Sequence, residues 1–312
     1  MYRKILVPLD GSELAEKVFT YAKEVAGRLD SDLVLLHVCK SDDAESLNMY
    51  RAYVERKAEI IQEQSRAVQS ASGISSTEKP VDAYSSVEIG DAAEGILRYA
   101  ETNDVDLILM ATHGRTGMKR WLLGSVADKV LRATSVPVWL VRAGVPEEAI
   151  YDEWPRMTVL VPLDGSSLAE RILPHVEAIA KQRGVDWIDV LLIRVVEEPF
   201  VTADYPQAKM KLSWEEHVEA MRERFRKDAR EYLQDVESKL KEKGVKVASE
   251  VSMGKPADKI IEYADSSPFN LVAMSTHGHS GLVRTAWGSV ADRVLREVKC
   301  PLLLVRAPES LI

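Results

Sequence analysis

KILVPLDGS, Lys4 to Ser12, is the stretch whose reading decides the fold. Its apolar run is short and unbroken, the pattern of a strand buried on both faces in a parallel sheet. Asp10-Gly11-Ser12 stops the run. Leu14, Val18, Tyr21 and Val25 then recur at spacings of four, three and four, as on one face of a helix. The stretch returns as TVLVPLDGS, Thr158 to Ser166, with Asp164 standing 154 positions after Asp10.

Outward from this strand, the pattern alternates. A second strand reads from Leu33 to Val38, a long charged helix from Met49 to Ser70, and a third strand from Val81 to Ile89, stopped by Gly90. A helix through Ile96, Leu97 and Ala100 leads to a fourth strand, Val105 to Ala111, and Val136 to Val141 closes the half as a fifth. Asp189 to Val195 repeats Asp32 to Val38, while Gly254, Gly278 and Pro301 repeat Gly90, Gly114 and Pro137 at an offset of 164. The growth in offset reflects longer segments in the second copy. There Trp214, Val218, Met221, Phe225, Ala229, Tyr232 and Val236 mark one helical face, expected to be core or interface. Strand–helix alternation predicts α/β units with mostly parallel sheets. Two domains are expected, 1–145 and 155–312, joined by the acidic, proline-containing linker Gly144 to Pro155.

The 49 acidic residues against 41 Lys plus Arg give a net charge of −8, which argues against a nonspecific nucleic-acid or anionic-membrane binder. Cys39 and Cys300 sit in apolar, strand-like runs and read as buried thiols. Asp10 comes too early for a signal peptide, and no apolar run reaches ~18 residues, so a soluble, cytoplasmic protein is expected.

Function turns on a second repeated stretch, MATHGRTGMKRWLLGSVADKVL from Met110 to Leu131, which recurs as MSTHGHSGLVRTAWGSVADRVL from Met274 to Leu295. Glycines followed by a serine that opens a helix make a phosphate cradle. If strands one and four are neighbours, Asp10 faces that cradle across a crevice at the strand carboxyl ends, which describes a nucleotide site. The competing reading is structural: Ser125-x-x-Asp128 and Ser289-x-x-Asp292 fit capping boxes, and Asp-Gly-Ser is an ordinary turn and helix cap. His113, His277 and His279 lack the partners of a metal site. Gly90 to Gly95 has P-loop outer spacing but Ile96 where lysine is required, and no G-x-G-x-x-G follows the first strand.

Taken together, I-L-V-P-L-D-G-S, T-H-G-x-x-G, G-S-V-A-D-x-V-L and the closing apolar strand resemble the universal stress protein family, twice over. The resemblance implies two Rossmann-like (adenine nucleotide alpha hydrolase-like) domains, each a five-stranded parallel sheet of order 3-2-1-4-5. It implies that Asp10 and Asp164 contact ribose, that Val38 and Val195 lie by adenine, and that Gly114, Gly124 and Ser125, with Gly278, Gly288 and Ser289, hold phosphates. Pro8 and Val126 join the implied first site. Ala111 and Ser275 depart from the family's G-x2-G-x9-G-[ST] pattern, whose first position is glycine. The implied ligand is ATP, or ADP or AMP, with Mg2+ or Mn2+ brought by the triphosphate. The expected function is a nucleotide-responsive stress or signalling protein, at most a slow ATPase; the alternative is an interaction scaffold of the same fold without nucleotide. Arg115, Lys119 and Arg120, against His279, Val283 and Arg284 in the second loop, lead to the expectation that the first site binds at least as tightly. The closing strands are expected to meet, giving an intramolecular pseudo-dimer, and a homodimer of the whole chain is a further expectation.

Overall fold

The computed structural model describes residues 1–72, 79–112, 123–142, 156–198, 214–266, 270–276 and 288–306. In the first half β1 (Lys4–Leu9), β2 (Asp32–Cys39), β3 (Ala83–Ile89), β4 (Leu107–Ala111) and β5 (Val138–Val141) pair in parallel, in the order β3-β2-β1-β4-β5. The second half repeats that order with β6 (Met157–Pro162), β7 (Ile188–Val196), β8 (Val247–Met253), β9 (Asn270–Thr276) and β10 (Leu302–Arg306). The fold is the expected α/β class, and β1 and β4 are neighbours.

The strand residues are apolar because both sheet faces are covered. Ile5, Val7 and Leu9 pack into one layer with Val18, Tyr21 and Val25 of α2 (Val18–Leu29) and with Ala58 and Ile61 of α3 (Ala44–Ser72). Leu6 faces the other layer, with Ile96 of α4 (Ala92–Thr102) and Val130 of α5 (Ser125–Ala133). Gly27 permits close helix packing: a Cβ there would come within 2.6 Å of the Ser65 carbonyl oxygen. Both Cys39 and Cys300 are buried free thiols, and burial pushes the Cys300 thiol up to about 12, a poor nucleophile.

Two sequence expectations are corrected and a third is met in part. The helix after β1 is not continuous: a four-residue α1 (Glu13–Glu16) ends at Lys17 and α2 begins anew. α3 starts before Met49, because Asp43 accepts hydrogen bonds from the Ser41 hydroxyl and, at 2.8 Å, from the Ser46 N–H. Those bonds, led by Ser41, lower the Asp43 carboxyl to about 2 and mark an N-terminal cap. The apolar stripe on α7 (Trp214–Glu242) is buried at Ala229 and Val236, whereas Val218 and Met221 are half-buried and Phe225 is exposed. The first half of that helix is therefore mostly outside the core. The expected linker lies outside the described residues.

Antiparallel pairing of β5 with β10 fuses the halves into one ten-stranded sheet. The register pairs Val138 with Leu304, Trp139 with Leu303 and Leu140 with Leu302. Trp139 and Leu303 are repeat equivalents, 164 positions apart, so the pseudo-two-fold axis passes through their pair. Around it, Asp128 binds Arg132 through both carboxylate oxygens at 2.7 and 2.9 Å, and Asp292 of α9 (Ser289–Glu297) binds Arg296 at 2.8 and 2.9 Å. Each aspartate also acts on the other half's arginine, so the two pairs form one electrostatic group. On the opposite face, α2 meets α6 (Leu173–Arg183). There Gln182 Nε2 donates to the Tyr2 and Leu29 carbonyls at 2.6 and 2.8 Å, and Tyr2 OH lies 2.9 Å from His175 Nδ1.

This last contact makes the junction acid-sensitive. Burial, then the positive chain N-terminus, lowers the His175 pKa. A base depressed in the folded state binds fewer protons folded than unfolded, so stability rises with pH across that interval. Its contribution is complete above the unfolded value of about 6.5 and is lost as pH falls through the depressed folded value. His175→Gln is therefore expected to flatten the loss of thermal stability between pH 7.5 and 5.5. Melting curves of both proteins across that range provide the check; parallel curves would refute the assignment.

Candidate functional site

The carboxyl ends of β1 and β4 enclose a cavity of about 260 Å3, near the roughly 300 Å3 lower bound of small-molecule sites. Pro8 and Asp10 line it from the end of β1, Leu36 and Val38 from β2, and Met110, Ala111 and Thr112 from β4. Alternation along β2 aims Leu36 and Val38 into this layer. His37, between them, points the other way: it stacks on Tyr50 at 4.2 Å, and its Nδ1 lies 3.0 Å from the Leu9 carbonyl. A carbonyl only accepts, so that nitrogen carries the proton.

Helices close the cavity. α4 contributes Ala92 and Ile96, one turn apart, and its cap Asp91 accepts from the Ala93 N–H at 3.1 Å. Gly124, Ser125, Val126 and Ala127 bring the start of α5 to the wall. Gly124 N–H donates to the Thr112 carbonyl at 2.7 Å, which fastens that start to the end of β4. The capping-box expectation fails here. Gly124 is the N-cap, Ser125 lies inside the helix, and among the described residues no side chain caps it; Asp128 is committed to Arg132. Among the described residues no side chain answers the opening N–H groups and positive dipole end of α5, an arrangement suited to an anion. The helix at Ser289 is built the same way, with Gly288 as cap and Asp292 on Arg296.

The Asp-Gly-Ser turn is a cap as well as a cavity wall. Asp10 Oδ1 accepts from the Ser12 N–H at 3.0 Å and from its hydroxyl at 2.6 Å. Ser12 Oγ in turn accepts from Ala15 N–H at 3.1 Å, and Ala15 lines the cavity. The cavity therefore joins an apolar slot (Leu36, Val38, Ile96, Met110) to a carboxylate on one rim and a helix N-terminus on the other. A flat heteroaromatic base suits the slot, a hydroxylated sugar the carboxylate, and a phosphate the helix end.

The second half keeps the parts with altered settings. Asp164 accepts from Ser166 N–H at 2.8 Å but is exposed, whereas Asp10 is half-buried. Gly288 has φ +69°, open to glycine alone at low cost, whereas Gly124 at φ −61° could carry a side chain. Arg194 replaces His37, and its guanidinium lies 3.1–3.2 Å from where a Gly165 Cβ would stand. Val195 is half-buried, as Val38 is. Gly114, Gly278, His113, His277 and the loop residues at 115, 119, 120, 279, 283 and 284 lie outside the described residues. Sequence reasoning missed Ala15, Leu36, Ala92, Ile96 and Met110. The alternation of Leu36 with Val38 and the four-residue spacing of Ala92 and Ile96 were signals available for three of these five.

Two α/β units of one strand order, the first with a crevice at its strand carboxyl ends, define a tandem Rossmann-like protein. The sequence model of the universal stress protein family matches residues 1–142 and 155–306, and the chain belongs to that family. It is 32% identical over 152 residues to universal stress protein MJ0531 of Methanocaldococcus jannaschii, covering 49% of this chain and 83% of that one. Universal stress protein Rv2005c of Mycobacterium tuberculosis is 27% identical over 208 residues, 66% of this chain and 63% of that one. A universal stress protein structure from Archaeoglobus fulgidus superimposes with a TM-score of 0.65 at 21% identity, covering 97% of this chain and 98% of that one, which is a likeness of fold.

Proposed function

We propose that the chain is an adenine nucleotide-binding stress or signalling protein of the cytoplasm, acting through nucleotide-dependent conformation or partner binding. The observation that carries this is the convergence of the apolar slot, the Asp10 carboxylate and the glycine-capped start of α5 on one cavity. In this reading Asp10 holds ribose hydroxyls, Val38 packs on the base, and Gly124, Ser125 and Val126, with Pro8 and Gly114 beside them, complete the ligand's surroundings. Asp164, Val195, Gly278, Gly288 and Ser289 form the second site in the unit 155–312, and the first site, in 1–145, binds at least as tightly. Among the described residues no group of three or more His, Cys, Asp or Glu is placed to hold a metal, so Mg2+ or Mn2+ would arrive with the triphosphate. Among them, too, no helix is long and apolar enough to cross a membrane. A homodimer of the whole chain would need a surface other than β5 and β10, which already pair with each other.

The test is to denature the purified protein, chromatograph what is released, and titrate the nucleotide-free chain with ATP and ADP. Adenine species in the supernatant and saturable binding are expected. Neither adenine release nor binding at millimolar nucleotide would leave the scaffold reading in its place.

A further inference from the structure

A hydrogen-bonded clasp lies behind the Asp10 turn, and the second half rebuilds it from different parts. Glu16, the last residue of α1, receives the Tyr53 hydroxyl on one carboxylate oxygen at 2.8 Å and Lys57 Nζ on the other at 2.6 Å. Tyr53 and Lys57 both belong to α3. Lys57 also lies 5.8 Å from the Tyr53 ring centroid. The Glu16 and Lys57 side chains are only 25% and 28% exposed, so water screens the pair less than a surface pair.

In the second half Glu170 receives the Tyr232 hydroxyl at 2.9 Å, and a cation again lies by the ring, with Arg194 Cζ at 5.0 Å from its centroid. The glutamates are repeat equivalents, 154 positions apart, like Asp10 and Asp164. The tyrosines are 179 apart, and the cation comes from a strand instead of a helix. The contact has been kept while the residues that make it have moved.

The clasp is wired to the cavity by a short chain of bonds. Glu16 N–H donates to the Ser12 carbonyl at 3.1 Å; Ala15 N–H donates to Ser12 Oγ; and Ser12 donates to Asp10. The second half repeats every backbone link: Glu170 to Ser166 at 3.3 Å, Ala169 to Ser166 at 3.1 Å and Ser166 to Asp164 at 2.8 Å. A single helical turn has no stability of its own, since nucleation is the unfavourable step. α1 therefore needs an external hold, and α3 supplies it. Burial first, then the Glu16 bond, raise the Tyr53 pKa, so the phenol stays protonated and keeps donating.

Building on the nucleotide reading above, we propose that Tyr53 and Lys57 are positioning residues of the first pocket. Their hold on Glu16 fixes α1, and through it the Asp10 carboxylate and the Ala15 wall, in the geometry that receives ribose. Tyr232 does the same for Asp164. The long helix α3 is thereby coupled to pocket occupancy, and displacing it would loosen the sugar contact without touching the ligand.

The experiment is a double-mutant cycle in the full chain, with Gly288→Asp in every protein so that the first site is read alone. Tyr53→Phe is expected to weaken adenosine and ADP alike, by about fivefold, with Lys57→Met a second, independent lesion. In an Asp10→Asn background the same Tyr53→Phe step should cost less than about twofold, because its effect runs through Asp10. Equal losses in both backgrounds, or none in either, would overturn the proposal. Hydrogen exchange needs no ligand: the amides from Ala15 to Lys17 should exchange faster in Tyr53→Phe, and unchanged rates would overturn the clasp itself. A parent protein that binds neither adenosine nor ADP would instead overturn the nucleotide reading, and exchange alone would then decide the clasp.

Discussion

Gly124→Asp is expected to weaken adenine nucleotide binding at the first site by about 100-fold or more while leaving the protein folded. At φ −61° and ψ 147° the residue sits where any L-residue can, so a Cβ brings no backbone strain. Aspartate is also among the best N-caps, and its carboxylate would accept the N–H groups that open α5, so the melting temperature should hold or rise slightly. The same carboxylate would then occupy the anion-receiving helix end and face the phosphates. Like charges brought together on binding cost several kcal/mol, hence the expected fall in affinity. Gly124→Asn separates the causes, because it caps equally and carries no charge. Calorimetric titration of both variants checks the argument: asparagine should retain most of the binding that aspartate loses. Gly288→Asp is not its equivalent, since φ +69° adds backbone strain to any electrostatic effect. The ranking of the two sites is therefore read from the affinity each variant retains: weaker remaining binding in Gly288→Asp, which leaves the first site, than in Gly124→Asp, which leaves the second, would refute it.

Trp139→Ala is expected to cost about 3–5 kcal/mol of stability, the largest single effect foreseen in the core. Trp139 is 2% exposed and lies in β5 on the pseudo-two-fold axis, facing residues of both halves. Truncation would open a cavity in a layer shared by the two units, where neither can close it without shifting the other. Its indole N–H is buried with no hydrogen-bond partner among the described residues. Trp139→Phe removes that unsatisfied donor along with part of the volume, so its cost should be about half that of alanine or less. Urea unfolding of both variants gives the comparison. A loss below about 1.5 kcal/mol for alanine would mean that the junction is not packed as described.

Much of this architecture is legible in the chain because its periodicities are strong. Unbroken apolar runs such as Ile5 to Leu9, stopped by Asp-Gly-Ser, read as strands covered on both sides, and the structure shows them so. The apolarity of Leu302 to Val305 marked an edge that invites pairing, and the family resemblance, not composition, named β5 as its partner. What escaped was decided by three-dimensional neighbours. The break between α1 and α2 leaves no proline or glycine in the sequence, so the spacing of Leu14, Val18, Tyr21 and Val25 reads straight through it. The capping-box pattern at Ser125 is genuine in sequence, yet Gly124 takes the cap and Arg132 takes Asp128. The glycine repeats marked a candidate site in outline; among its apolar walls Leu36, Ala92 and Ile96 carried a spacing signal, whereas Ala15 and Met110 are core residues that no local pattern distinguishes from their neighbours. The clasp on Glu16 was hidden for a similar reason, because its tyrosines do not align between the repeats.

The antiparallel seam between β5 and β10 has a consequence for how this protein can change. In an assembly of two identical chains, every substitution lands on both subunits, so neither site can drift alone. Here the partners are written separately in one chain and held together at a fixed, high effective concentration whatever the dilution. A codon change alters one half and spares the other. Half-buried Asp10 against exposed Asp164, His37 against Arg194, and φ −61° against +69° at the two capping glycines show the halves already using that independence.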